Sequence, residues 1–442
     1  MKKVRQILFE IRALVWGYGA YFCWTVSIPP RRTRSRQLKH ITHINTDDQS
    51  GGAARVARDI GEYQRLLGYS VKLLVGNKRS ENPISEAITA VDSRKQRFLG
   101  FAQSYLDWQD FFHLSSFDLL KNPVVQKADI VHLHNLHGNY FSYLALPILS
   151  RAKHVVWSIH DMHPFTGHCS YSMGCTKWRD RCGDCPSLNT YPSLKKDTTS
   201  FIRKAKARSF RLSELHIVAL SKWMENFLRN SILKDATIHQ IYNGIDTSVF
   251  YPRSKAEARN LLGLPSDKFI FLFSANQGSK NPFKGGEYLN QLVKEYEKKD
   301  EFLFLSIGGY NDSSSRAENC MEIPYISDSR LMALYYAAAD IYLYPSLADN
   351  CPLVVLEAMG SGTPVLAFDT GGTAELVIHE KTGYIARYKD GQDLTCGLEW
   401  LYADRERLNK LAEAGVTRVQ KFFSLETMNN QYLELYKKIL SG

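Results

Sequence analysis

Short apolar runs alternating with helix-periodic stretches constrain this chain more than any other feature. The runs at 40–45, 70–75, 129–134, 155–160, 217–220 and 238–242 each read as a buried strand bounded by polar turns. Between the first two, residues 53–67 place Val56, Ile60, Tyr63 and Leu67 on one helical face. Strands joined through helices run parallel, so this order predicts open parallel sheets in an α/β protein. Asn243-Gly-Ile-Asp-Thr-Ser-Val-Phe-Tyr-Pro252 breaks the alternation and reads as an interdomain hinge. A second alternating set follows at 269–273, 302–307, 341–344, 364–368 and 383–386. At 442 residues the chain exceeds one ordinary core. The expected architecture is two Rossmann-like domains, 39–245 and 246–424, with their parallel sheets facing a central cleft. A final helix over 425–442 is expected to pack back on the first domain. In such sheets ligands sit beyond the carboxyl ends of the strands, so the chemistry belongs in the loops there.

The net charge of +11 is concentrated at the N-terminus. Lys2, Lys3, Arg5, Arg12, Arg31, Arg32, Arg34, Arg36 and Lys39 face the single acid Glu10, and they flank the aromatic-rich stretch Ala13–Ile28. That stretch falls short of the roughly 20 residues of a spanning helix, and no small-residue cleavage site follows it. Residues 1–38 therefore read as an extension lying in the headgroup layer of an anionic membrane, or as a loosely packed tail. No recognition motif accompanies the basic residues, which argues against nucleic acid as a partner. The expected location is the cytoplasm, peripheral at the inner face of the cell membrane.

Several strand ends carry residues suited to an anionic sugar-linked ligand. In Tyr344-Pro-Ser-Leu-Ala-Asp-Asn-Cys-Pro-Leu-Val-Val-Leu-Glu-Ala-Met-Gly360, a strand gives way to a polar loop holding Asp349, then to a helix opening near Pro352 and carrying Glu357. A helix start offers unpaired N–H groups and partial positive charge. Asp369-Thr-Gly-Gly-Thr373 adds a second Gly-rich turn, and Lys280 and Lys284 lie in the loop before Gly285-Gly286. Gly51-Gly52 opens the first helix, and His160-Asp161 ends a strand, with His134 and His137 at the neighbouring strand end. Cys169, Cys175, Cys182 and Cys185 cluster in the loop 162–190. Four such thiolates suit a structural zinc that would order a loop lacking its own core; unligated thiols or two disulfides are the alternatives.

The paired-acid stretch resembles the acidic-x7-acidic signature of the retaining GT-B glycosyltransferases of the family-4 group, and the 243–252 segment is similar to their linker. The resemblance covers residues 40–442. Asp349 stands where the family usually has Glu, and Ser279 where it usually has Arg, with Lys280 beside it. It implies that His160, Lys284 and Asp349 serve catalysis, His160 facing the donor sugar and Lys284 neutralising the leaving diphosphate. Gly51, Gly52, Lys280, Asn350, Cys351, Leu353, Glu357, Gly371 and Gly372 would bind substrate, Glu357 taking the ribose hydroxyls, while Tyr325–Asp328 would flank the base. The segment from His160 to Pro186 resembles a bacterial subgroup of colanic-acid type that builds exopolysaccharide, capsule or O-antigen. The implied reaction moves a sugar from a nucleotide-diphosphate sugar to a glycan or lipid-linked acceptor with retention, and requires no cofactor. A non-catalytic sugar-nucleotide or membrane scaffold, and an epimerase or phosphorylase of the same fold, remain alternatives.

Overall fold

The computed structural model describes residues 37–88, 93–309 and 317–442; the expected membrane-associated stretch lies outside them. The chain divides into two compact units. The first takes the described residues up to Ala219, Glu225–Gln240 and Gln431–Gly442; the second takes Leu220–Met224 and Ile241–Asn430.

In the first unit, β1 (His40–Asp47), β2 (Ser70–Asn77), β3 (Ser85–Ala87), β4 (Ile130–Leu133), β5 (His154–Ile159), β6 (Leu215–Ala219) and β7 (Thr237–Gln240) form one sheet. Its order is β3-β2-β1-β4-β5-β6-β7, and every neighbouring pair is parallel. Leu73, Leu74 and Val75 are consecutive and wholly buried, as expected where helices cover both faces of a parallel sheet. The order reverses between β1 and β4, which places a topological switch point there.

The second unit repeats the plan with β8 (Phe269–Ser274), β9 (Phe302–Ile307), β10 (Cys320–Ile323), β11 (Ile341–Tyr344), β12 (Val365–Phe368) and β13 (Gly383–Ala386). The order is β10-β9-β8-β11-β12-β13, again parallel, with its switch point between β8 and β11. Phe269, Phe271, Phe302 and Phe304 fill its core, the rings of Phe271 and Phe304 stacking at 4.8 Å. Leu289 and Leu292 of helix Gly286–Glu295 and Leu394 and Leu398 of helix Gly391–Tyr402 belong to the same cluster.

The segment read as a hinge lies against residues 423–425. The Ile245 N–H donates to the Phe423 carbonyl at 2.9 Å, and the Leu425 N–H returns to the Ile245 carbonyl at 2.7 Å. A Cβ on Gly244 would fall on the Ser424 carbonyl, so only glycine lets the two segments cross this closely. Helix Leu425–Ser441 follows, and its Tyr432 and Tyr436, both wholly buried, belong to the first unit. Among the described residues no helix is long and apolar enough to cross a membrane.

Candidate functional site

In the second unit the loops after β8 and β11, the two strands flanking the switch point, meet. Lys284 precedes Gly285, whose φ of 67° starts helix Gly286–Glu295. A Cβ on Gly285 would strike the Pro345 carbonyl, and one on Gly286 the Ser279 backbone, so the glycines let the lysine loop lie against the strand end of β11. Lys284 Nζ forms an ion pair with Asp349 Oδ2 and lies 3.3 Å from the Tyr344 hydroxyl. That hydroxyl also donates to Asp349 Oδ2, and the Asn350 N–H donates to Asp349 Oδ1 at 2.8 Å. Lys284 and Asp349 are both partly exposed, at 26% and 17%. Solvent therefore still reaches the paired charges. Lys280 is exposed, on the short turn Gly278–Lys280.

The chain after Asp349 is fixed by its own polar contacts. Asn350 is buried and accepts from the Ser221 hydroxyl at 2.6 Å, while the Cys351 carbonyl accepts from Asn243 Nδ2 at 2.9 Å. Helix Leu353–Gly360 starts without a side-chain cap and without an acid in its first turn, so its first N–H groups remain available to an anion. Glu357 is buried one turn in and accepts from the Tyr336 hydroxyl at 3.1 Å. Burial, reinforced by the Glu357 charge, pushes the Tyr336 phenol far up, so it stays a donor. A Cβ on Gly371 would fall on the Asp349 carbonyl, and one on Gly372 on the Asn350 carbonyl. The second Gly-rich turn thus packs directly against the acid loop, and the Gly372 N–H donates to the Asn350 carbonyl at 2.9 Å.

The first unit has its own arrangement. Gly51 holds a φ of 87° and leads into helix Gly52–Leu66, which also lacks a side-chain cap and a first-turn acid. A Cβ on either Gly51 or Gly52 would meet nothing within 4 Å, so here glycine serves conformation and access rather than packing. Asp47 Oδ1 shapes the turn by accepting from the Gln49 and Ser50 N–H groups at 2.8 and 2.7 Å. His134 lies just beyond β4 and His160 just beyond β5, with His134 Nδ1 3.1 Å from His160 Nε2. Burial holds His160 down to about 4, so it is neutral at neutral pH. His137 Nε2 donates to Asp161 Oδ2 at 2.9 Å, and Asp161 Oδ1 accepts from the His163 N–H. Burial alone would lower His137, but the Asp161 carboxylate outweighs it and raises the imidazole.

The cysteine loop is held by more than its thiols. Among the described residues, the group of three His, Cys, Asp or Glu side chains close enough to share an ion is His43, His132 and His134, not the cysteines. A tetrahedral four-sulfur set would bring its sulfurs to about 3.8 Å from one another. Among the described residues Cys169, Cys175, Cys182 and Cys185 form no disulfide, and burial pushes the Cys169 thiol up to about 12. The loop has the core that the sequence did not reveal: Trp178 is buried edge-on to Phe165 at 5.3 Å and Phe227 at 5.2 Å. Arg203 donates to the Trp178 and Arg179 carbonyls at 2.8 Å, and buried Lys206 to the His163 carbonyl at 2.7 Å.

Tyr344, Tyr336 and His43 take part in these clusters and were not singled out from the sequence. The signal for the histidines was present. His132 and His134 alternate on one face of an apolar strand end, and His43 interrupts an otherwise buried run.

Two family models match this chain in tandem. "Glycosyltransferase Family 4" covers residues 50–249, and "Glycosyl transferases group 1" covers residues 254–418. The chain belongs to the GT-B glycosyltransferases. The transferase is 24% identical to the putative colanic acid biosynthesis glycosyl transferase WcaC of Escherichia coli (strain K12), over 78% of this chain and 86% of that protein. It is 27% identical to the D-inositol 3-phosphate glycosyltransferase of a Nocardioides species, over 46% of this chain, and spans about half of that relative's length (48%). Its fold is similar to that of Anabaena HepE, solved in complex with UDP-glucose, with a TM-score of 0.61, 16% identity, and coverage of 90% of this chain and 99% of that one.

Proposed function

We propose that the transferase moves a sugar from a nucleotide-diphosphate sugar to a glycan or lipid-linked acceptor, with retention of anomeric configuration, in the assembly of a bacterial surface polysaccharide. The observation that carries the donor reading is the Lys284–Asp349–Tyr344 cluster at the switch point of the second sheet, beside an uncapped helix start and buried Glu357. A leaving diphosphate needs its developing charge neutralised, and Lys284 is a cation on a loop held against the strand end of β11, suited to that. Asp349 and the first N–H groups of helix Leu353–Gly360 suit the sugar and phosphates, and Glu357 the ribose hydroxyls. Sugar–phosphate cleavage and acceptor attack would take place on one face. The C1–O bond to the diphosphate breaks as the acceptor oxygen bonds C1, and the acceptor proton passes to the departing phosphate oxygen. The likeness to WcaC and to a fold solved with UDP-glucose supports both the polymer class and the donor class. The N-terminal extension 1–38 would hold the enzyme at an anionic membrane where lipid-linked acceptors reside.

The test is a panel of nucleotide sugars screened for protection against thermal unfolding, since a ligand binding only the folded state raises its stability. The protecting donor is then incubated with lipid-linked glycans while nucleoside diphosphate release and the anomeric configuration of the product are followed. Acceptor-dependent release with a retained anomer is the expected result. An inverted product, or a panel without a single protecting donor, overturns the reading. Flotation of full-length protein with anionic vesicles at low salt, lost on removing residues 1–38, checks the membrane part.

A further inference from the structure

A row of imidazoles runs through the first unit behind His160, and the transfer chemistry alone does not account for it. Gln64 of helix Gly52–Leu66 places Oε1 3.0 Å from His43 Nε2. His43 Nδ1 lies 3.1 Å from His134 Nε2, and His134 Nδ1 lies 3.1 Å from His160 Nε2. Gln64, His43 and His134 are fully buried. Four side chains, far apart in sequence, thus form one continuous chain of hydrogen bonds that reaches the strand-tip histidine.

The geometry gives that row a direction. An amide oxygen only accepts, so His43 carries its proton on Nε2. A neutral imidazole has a single N–H, so His43 Nδ1 accepts from His134 Nε2, and His134 Nδ1 in turn accepts from His160 Nε2. Burial holds His43 and His160 down to about 4 and His134 well below its ordinary range, so each ring carries one proton at neutral pH.

The same cluster first invites a different reading, since nitrogens of His43, His132 and His134 lie within 4.8 Å of one another, close enough to share a cation. Hydrogen bonding removes that option. Both nitrogens of His43 and of His134 are used in the row, and His132 is held at 2.8 Å by Ser158 Oγ and at 2.6 Å by the Tyr436 hydroxyl. Each ring nitrogen of His43, His132 and His134 thus already has a protein partner.

We propose that Gln64, acting through His43 and His134, is a positioning residue that fixes His160 as the tautomer with its proton on Nε2 and its lone pair on Nδ1. The functional consequence rests on the reading above that His160 faces the transferred sugar. A sugar hydroxyl would then find an acceptor at Nδ1 rather than a competing N–H. Substituting Gln64→Leu removes the acceptor for His43 Nε2–H. A buried donor without a partner is costly, so the row would reverse and carry the His160 proton to Nδ1.

Long-range proton–nitrogen correlation on histidine-labelled full-length protein reads the tautomer, with His160→Ala assigning the signal. The expected wild-type state is Nε2–H, shifting toward Nδ1–H in Gln64→Leu. In the same variant kcat should fall by about tenfold or more with donor KM within about twofold, as a wrong tautomer at a reaction centre lowers turnover rather than binding. An Nδ1–H ring in the wild-type protein overturns the proposal without any variant, and so does a Gln64→Leu spectrum identical to wild type. Full turnover by His160→Ala would refute the placing of His160 at the sugar, while the tautomer comparison would still decide whether Gln64 controls it.

Discussion

At the scale of the residue, the acid and the lysine that the sequence picked out separately are found bonded to each other. Replacing Lys284 with Ala removes the cation and leaves Asp349 with only the Tyr344 hydroxyl on that oxygen. Turnover should fall more than about a hundredfold, the usual scale for losing one transition-state charge partner; a loss below threefold would move the phosphate site elsewhere. Glu357→Gln should weaken nucleoside diphosphate binding by about 1.5–3 kcal/mol, because charge-assisted hydrogen bonds become neutral ones. Titration calorimetry with the free diphosphate measures it, and unchanged affinity would sink the ribose assignment. Spacing in the sequence located Asp349, Glu357 and Lys284 because each sits at a strand end or helix start that its neighbours advertise. It could not reveal that Tyr344 joins the ion pair or that Tyr336 caps Glu357, since a tyrosine in an apolar run looks like core. The histidine row was hidden for another reason: His43 and His134 are 91 positions apart, and only the pairing of β1 with β4 brings them side by side.

At the scale of the element, strands with apolar runs buried on both faces were legible, and the two that were not lie at sheet edges. β3 has three residues and β10 four, each paired on one side only, and neither needs a continuous apolar run to be held there. The parallel sheet also predicts an acid limit. His43 and His160 fall to about 4 in the fold against an ordinary 6.5, and burial also drives His132 and His134 well below that ordinary value. Between pH 6.5 and 4 the unfolded chain binds more protons than the folded one, so stability is lost as pH falls through that window. For His43 alone the upper limit is about 3 kcal/mol. Urea unfolding at pH 7 and pH 5 should show a lower midpoint at pH 5, and equal midpoints would contradict neutral burial of these rings. The Gly-rich turn after β12 makes an independent prediction. Gly371→Ala places a methyl on the Asp349 carbonyl at a φ of 58°, so the acid loop must shift. Donor binding should weaken while the melting temperature of the protein falls only slightly, because the core of the second unit is untouched.

At the scale of the whole molecule, the two sheets and their order agree with the doubly wound architecture expected from alternation, but the chain path is less simple than two consecutive blocks. The first unit is built from three separate stretches, the last being Gln431–Gly442. The Tyr432 hydroxyl lies 2.7 Å from Ser158 Oγ, and the Tyr436 hydroxyl 2.6 Å from His132 Nδ1, all of them buried. Tyr436→Ala should therefore cost about 3–5 kcal/mol, the range for truncating a buried aromatic, and Tyr436→Phe much less. If both variants melt with the wild type, the terminal helix is not part of the first core.

That arrangement has a consequence for how the protein is made. Ser158 leaves the ribosome 274 residues before Tyr432, and His132 precedes Tyr436 by 304. At about 5–20 residues per second the nascent first sheet waits roughly a quarter of a minute to a minute for its last partners. During that interval His132 and Ser158 lack their tyrosine hydroxyls, and the surface that buries both rings stays open. Emergence of the segment Gln431–Gly442, rather than of the first sheet, is then the event that completes the fold, and a chain lacking that segment would be exposed to proteases as though its beginning were damaged.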